Sequence, residues 1–504
     1  MIATPVDAFP DWLPPVESKS QDAGSTGGPH YGWNDSGNAD RLADAHGSDL
    51  IYCRERKSYY VWSGARWEFD EFIESEKRAE QTIRAAFAEA GTIQDEKKRS
   101  AFLAFLNRSL SRNMLANMIH LAKKKVRVIG ATELDCDPWS LNVQNGTLDL
   151  RTGHLRPHQR EDLLSKLIPL DYESAAPCPL FMAFIYRIMG DGPSAPADAK
   201  ERAHRLVQYI QRLFGCAATG KAEKVLAVFY GQMGNNGKTT LLTTISKALG
   251  DREYATQINI DSLMVDPKGV GNSNAVNADL ADLQGARFVF TSEVDKGQRL
   301  SLGRVKYLTG LTSVRTRRLR ENWITFPATH KIFMDCNDRP VISSPTDPVW
   351  NRVVCIPFDV VIPGDEIDTD LPSKLEAELP GILAWIVEGA LNYHRDGLAF
   401  RPTEVQASTD DYRQSSDRLR EFLEDCCHLN QFAWVSSAGL VGAYQEWCRR
   451  NGEKFPLEGR DFTDQVRAKG CSPKSKEIKG KSTRGWLGID LRGTPERARE
   501  DGIE

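Results

Sequence analysis

Apolar and polar positions fall into short strand-like runs separated by turns, with helical periodicity between them. The stretch 51–68 (IYCRERKSYYVWSGARWE) predicts two short strands about a Ser-Gly turn. From 72 to about 126 alanine, leucine and lysine dominate at helical spacing. LNVQNGTLDLRTGHL, at 141–155, returns to short strands, with Asn145-Gly146 and Thr152-Gly153 as tight turns. A helix over 201–213 opens a region of alternating apolar strands and helices that runs to about His394. Its first strand, 225–230, is continuously apolar, as a strand buried on both faces is. From about 404 to 492 the pattern begins helical, continues as helix, turn and helix, and ends in a Gly- and Lys-rich hairpin.

Composition narrows this picture. A chain of 504 residues predicts about three domains, and 40% hydrophobic with 27% charged residues reads as globular. The net charge of -4 means that any nucleic-acid contact rests on local basic patches. No apolar run reaches the roughly 20 residues of a membrane span, and the start lacks the basic and apolar regions of a secretory signal. Ten scattered cysteines without a Cys-x-x-Cys pair point to reduced thiols in a cytoplasm. Residues 1–36 are rich in Pro, Gly, Ser and Asp and predict a disordered leader. Asp135 and Asp137 are spaced as a metal-binding pair or as part of a polar loop before Pro138 and Trp139.

The strongest local signal is VLAVFYGQMGNNGKTTLL, at 225–242: a strand, a glycine-rich loop, then a helix. Backbone N–H groups of such a loop face phosphates, aided by the helix dipole. The candidate nucleotide contacts are Gly231, Gly234, Asn236, Gly237, Lys238, Thr239 and Thr240. Lys238 would neutralise the β and γ phosphates of ATP, and the Thr239 hydroxyl would ligate Mg²⁺. The usual spacing places glycine at 232, where this chain has Gln232, with Gly231 one residue early.

Downstream, RFVFTSE (287–293) predicts a second buried strand ending in an acid, lying beside the first. Glu293 is the candidate general base and, with Thr239, the candidate metal residue; Ser292 stands where an acid is common. A third apolar run ends in Asn337, whose amide would orient water against the γ-phosphate. Arg352, before the apolar run VVCIPF, is placed as a finger for a neighbouring subunit's nucleotide.

Lys238, Glu293, Asn337 and Arg352 in that order, with 99 residues from Lys238 to Asn337, resemble superfamily-three helicases. In detail the chain resembles the phage/plasmid primase–helicase family and its poxvirus-like relatives. GNADRLADAHG (37–47), YYVWSGARWEFD (59–70), DPWSLNVQNGTLDLRTGHLRPH (137–158), CNDRPVI (336–342) and VWNRVVCIPFDV (349–360) carry the likeness. It implies an α/β fold: a P-loop, AAA+-like superfamily-three core at 176–400. A mixed α+β domain at 37–175 would precede it, and a winged-helix-like domain at 401–495 and a tail at 496–504 would follow. It also implies a homo-hexameric ring that translocates on single-stranded and forked DNA in the cytoplasm of a bacterial host. Only some 36 residues precede the resemblance, too few for a primase domain, so primer synthesis is not expected of the chain, and a separate primase or other replication proteins are candidate partners.

Lys306, Arg315, Arg317, Arg318 and Arg320, between acidic strand and sensor, are candidate DNA contacts. So are Lys474, Lys476, Lys479, Lys481 and Arg484 of the C-terminal hairpin, with the helix at 460–469 placed for a major groove. The C-terminal module reads equally as a protein-docking domain. The resulting expectation is an ATP-dependent DNA helicase of a phage, prophage or plasmid-like element. The rival from another class is a non-unwinding initiator or scaffold, in which nucleotide binding only assembles the ring; Gln232 and Ser292 support it. A packaging-type ATPase is disfavoured, since no acid-rich nuclease segment follows the motor.

Overall fold

The computed structural model describes residues 31–71, 73–265, 278–291, 294, 297–310, 313–317, 323–342, 347–452, 456–478 and 480–492. The chain is mixed α/β and divides into two compact units, 1–50 with 72–127, and 51–71 with 128–504. The region expected as one domain at 37–175 is therefore shared between them.

The first unit is helical: Asp35–His46, Ile73–Ala86, Glu96–Ser109 and Arg112–Ala122. Asn34 caps the first helix by accepting from Gly37 N, and Asp95 caps the third from Lys97 N and Lys98 N. Of the expected leader, residues 31–36 are described. Trp33 packs on Phe102, ring centroids 5.1 Å apart, and Tyr31 donates to Asp44 at 2.8 Å. Residues 1–30 lie outside the described residues.

The second unit is built on a five-stranded parallel sheet. Numbering only its strands, these are β1 (Leu226–Tyr230), β2 (Ala255–Gln257), β3 (Phe288–Thr291), β4 (Lys331–Cys336) and β5 (Val353–Pro357). Their spatial order is β5-β1-β4-β3-β2. Both faces are covered, which explains the continuously apolar runs. Ala227, Phe229, Phe288 and Phe333 face one core, with the helices Ala197–Ala218 and Leu379–Asp396. Leu226, Val228, Val289, Ile332 and Met334 face the other.

The expectation that the 287–293 strand lies beside the loop strand is corrected: β4 stands between β3 and β1. β4 is the longest of the five at six residues, all buried, and suits the centre. The pair Asp135 and Asp137 serves as loop structure. Asp135 accepts from Ser165 N and its hydroxyl, and Asp137 accepts from Trp139 N and the Ser140 hydroxyl.

Towards the C-terminus, helices Ser437–Arg450 and Gly459–Ala468 follow a strand the sequence did not suggest, Cys427–Ser436. It pairs with Gly485–Leu491 across a bulge, its Asn430 and Gln431 breaking the alternation that marks a strand. A small hairpin, Lys476–Ile478 with Lys481–Thr483, lies before the last strand. The expected tail at 496–504 lies outside the described residues.

The helices Ala197–Ala218 and Leu379–Asp396 touch through glycines. A Cβ on Gly215 would overlap the Gly389 backbone, and one on Gly389 would overlap Gln211 O. Gly389→Ala is expected to destabilise the protein by about 2–3 kcal/mol, because the obstacle is backbone and cannot rotate away. Gly442→Ala, in a helix where a Cβ meets nothing within 4 Å, is the control and should stabilise by about 0.5–1 kcal/mol. Urea unfolding midpoints of the two variants check this; equal shifts would refute the packing argument.

Candidate functional site

β1 ends at Tyr230, the chain turns through 231–237, and a helix, α1 (Lys238–Ala248), begins. Three residues give the loop its shape. Gly231 passes beneath the following segment: a Cβ there would stand 2.6 Å from Phe358 O and overlap the Asn236 side chain. This close approach explains why glycine stands at 231 while Gln232 is exposed. Gly237 has φ +76°, and a Cβ on it would stand 2.7 Å from the Ile188 side chain. Asn236 donates from Nδ2 to Met233 O at 2.7 Å and to Gly231 O at 3.4 Å, folding the loop back on itself. Gly234 faces open space.

Lys238 is buried, 2% exposed, yet its ammonium is fully engaged. Nζ donates to Asn236 Oδ1 at 2.8 Å, Asn337 Oδ1 at 2.9 Å and Gly231 O at 3.3 Å. Asp335 Oδ1 lies 3.7 Å away. Burial pushes the ammonium below its usual range, and the Asp335 charge opposes that. The neighbouring Thr239 hydroxyl donates to Asp335 Oδ2 at 2.5 Å. The structure thus joins Lys238, Thr239, Asn236 and Asn337, all singled out from sequence, with Asp335, which was not. The apolar run KIFMDC hides Asp335; its place on the strand beside β1, opposite Phe229, brings it to the loop.

Glu293 and Ser292 are outside the described residues, as are Arg318, Arg320 and Lys479. Arg352 precedes β5, whose Val353 pairs with Leu226 and Pro357 with Tyr230. It therefore sits at the opposite end of the sheet from the loop, roughly 15 Å away at about 3.3 Å per residue. Its guanidinium lies against Gly310, and among the described residues its Nε is buried without a hydrogen-bond partner. Arg352 does not serve the loop of its own chain.

The expected basic run forms an antiparallel hairpin, Ser313–Thr316 with Ile324–Pro327. Arg315 and Arg317 both lie over the ring of half-exposed Trp323, at 5.1 and 5.0 Å from its centroid. Trp323 was missed because it stands among charged residues, where no apolar pattern marks it. Lys306, expected to grip phosphates, instead pairs with Asp347 at 2.8 Å, so its charge is neutralised within the fold.

In the C-terminal region Lys474, Lys476, Lys481 and Arg484 are exposed. Lys476 Nζ lies over Trp434 at 5.5 Å, and Trp434 Nε1 donates to Lys474 O. The helix Gly459–Ala468 presents Arg460 and Arg467, but both pair with Asp464, at 3.5 and 3.4 Å. The basic surface there is the hairpin rather than the helix. Among the described residues no helix is long and apolar enough to cross a membrane, and no group of three or more His, Cys, Asp or Glu is placed to hold a metal.

Comparison with known proteins bears on this arrangement. Residues 39–190 match the family model described as D5 N terminal like. A protein of frog virus 3 (isolate Goorha), named as a putative helicase, is 25% identical over 388 residues, 63% of this chain and 39% of that protein. One of Acanthamoeba polyphaga mimivirus, also named as a putative helicase, is 25% identical over 343 residues, 63% of this chain and 34% of that protein. The chain thus spans well under half the length of these relatives. Among solved structures, the apo C-terminal region of NrS-1 superposes with a TM-score of 0.46 at 10% identity, over 87% of this chain and 95% of that one. Over residues 39–190 the chain is thus similar to the D5 N-terminal-like family, and over about two thirds of its length to viral proteins named as putative helicases.

Proposed function

We propose that the chain is an ATP-driven DNA helicase of the superfamily-three type, acting as a homo-hexameric ring in replication of a phage, prophage or plasmid-like element. One observation carries this reading: the ammonium of Lys238 bonds the Asn337 amide across two adjacent strands. A phosphate-binding loop and a sensor side chain therefore form one site. The sheet order β5-β1-β4-β3-β2 supports a superfamily-three core, and the two helices with their β-hairpin support a winged-helix module.

The loop suits a polyphosphate by its donors. The first turn of α1 has N–H groups with no intrahelical acceptor. Asn235 and Gly237, at φ 57° and 76°, curl the backbone into the concave form that holds anions. Lys238, released from its neutral oxygens, neutralises the β and γ phosphates. Asn337, held at the end of β4, orients water towards the γ-phosphate, and Glu293 takes its proton. Thr239 and Glu293 would hold Mg²⁺, which would supply charge neutralisation to the phosphates.

Arg352, at the far end of the sheet, reaches the nucleotide of an adjacent copy in the ring and steadies the charge of its transition state. Hydrolysis at each interface then moves a single strand past the Arg315, Arg317 and Trp323 hairpin.

Forked-duplex unwinding with ATP and Mg²⁺ tests the motor. Wild type is expected to unwind, while Lys238→Ala, Glu293→Gln and Arg352→Ala fail. For Arg352→Ala, mixing with Lys238→Ala protein should restore some hydrolysis, because each then supplies what the other lacks. Wild-type protein that binds ATP and DNA but neither hydrolyses nor unwinds would establish the initiator-scaffold alternative instead.

The hairpin makes a separate prediction. Trp323→Ala should weaken single-stranded DNA binding about tenfold, corresponding to roughly 1–3 kcal/mol for one stacked base, with little change in salt dependence. Arg315→Ala and Arg317→Ala should each flatten the dependence of log affinity on log salt. Fluorescence anisotropy across a salt series reads both; equal salt slopes in all variants would refute the division of labour.

A further inference from the structure

A carboxylate on a core-facing position of a central strand needs a reason. On β4, Ile332, Met334 and Cys336 face one core and Phe333 the other, so alternation puts Asp335 on the Phe333 face. Leu241, Leu242 and Ile245 of α1 pack on that face. Asp335 is itself buried, 7% exposed, where an uncompensated negative charge is costly. Its oxygens face the Thr239 hydroxyl at 2.5 Å and the Lys238 ammonium at 3.7 Å.

Binding of a polyphosphate changes that balance. The Lys238 charge is drawn to the phosphates, and Asp335 is left facing added negative charge. The Thr239 hydroxyl donates its hydrogen bond to Asp335, so its lone pairs are not spent on the carboxylate and remain able to ligate. A divalent cation set against those lone pairs would restore the balance. Oxygen ligands from a hydroxyl and a carboxylate, completed by phosphate and water, are the set that Mg²⁺ favours.

We infer that Asp335 is a carboxylate of the divalent-cation site, acting with Thr239 so that the cation accompanying a nucleoside triphosphate is held from β4 as well as from α1. The inference rests on the nucleotide-site reading and adds a residue to it. This placement would also meet the need left by Ser292, which stands beside Glu293 where a further acid is common.

The test uses the full chain and a non-hydrolysable ATP analogue, so no turnover is read. Binding of a fluorescent analogue is measured in EDTA and in Mg²⁺, and Mn²⁺ binding to the protein–analogue complex is followed by electron paramagnetic resonance. Asp335→Asn is expected to lower Mn²⁺ affinity about tenfold or more, the size of effect seen when a residue supporting a metal site is lost. Its affinity for the analogue in EDTA should hold or rise, since a negative charge near the phosphates is gone. Equal weakening in EDTA and Mg²⁺, or an unchanged response to the cation, would overturn the inference.

If Asp335→Asn does not fold, by circular dichroism, the wild type still decides. Fe²⁺ substituted for Mg²⁺, with ascorbate and peroxide, should cut the backbone near 239 and near 335. Cuts that spare the 331–337 segment would overturn the assignment. Wild-type protein that binds the analogue in neither buffer would instead sink the nucleotide-site reading, and the inference with it.

Discussion

The buried ammonium of Lys238 is the interaction on which the rest of the site depends. A charge with so little solvent must be held by oxygens, and this one draws them from three places. Gly231 gives a loop carbonyl, Asn236 an amide from the loop's far side, and Asn337 an amide from the next strand. Holding those oxygens in place fixes the loop. Gly231 must pass close to Phe358, Gly237 must take a left-handed backbone, and Asn236 must turn inward. The adjacency of β1 and β4 is then not a detail of topology. It puts Asn337 and Asp335 within reach of one side chain.

A parallel sheet collects its strand ends, and here the two ends have different work. The C-terminal ends of β1 and β4 gather Lys238, Asp335 and Asn337, while Arg352 stands at the N-terminal end of β5. No rotamer change carries a guanidinium across the length of a strand. An arginine so placed does not reach its own loop, so the proposed finger role depends on a neighbouring copy. The basic residues divide in the same way. Lys306 is paired within the fold and Arg460 and Arg467 share Asp464, whereas Arg315 and Arg317 flank an aromatic ring.

The glycine at 231 shows how local and tertiary constraints meet. By motif spacing it is one residue early. In the fold it is where a side chain would strike Phe358 O, a residue 127 positions later in the chain. The irregularity is therefore set by packing against the segment after β5, and the loop reaches its shape with Gln232 pointing into solvent.

The sequence by itself determined most of the elements, though not the strand Cys427–Ser436, and most of the residues that meet at the loop. Continuous apolar runs mark strands buried on both faces, and glycine, lysine and threonine between a strand and a helix mark a candidate phosphate loop, because these signals are local. Only the tertiary structure decided which strands are neighbours, since an apolar run reads the same whether it lies beside β1 or two places away. For that reason the 287–293 strand was misplaced beside the loop strand, and Asp335 went unnoticed inside KIFMDC. Trp323 and the pairing of Lys306 were hidden for a related reason: a side chain's partners come from folding, and charge along a sequence does not reveal which charges are already satisfied.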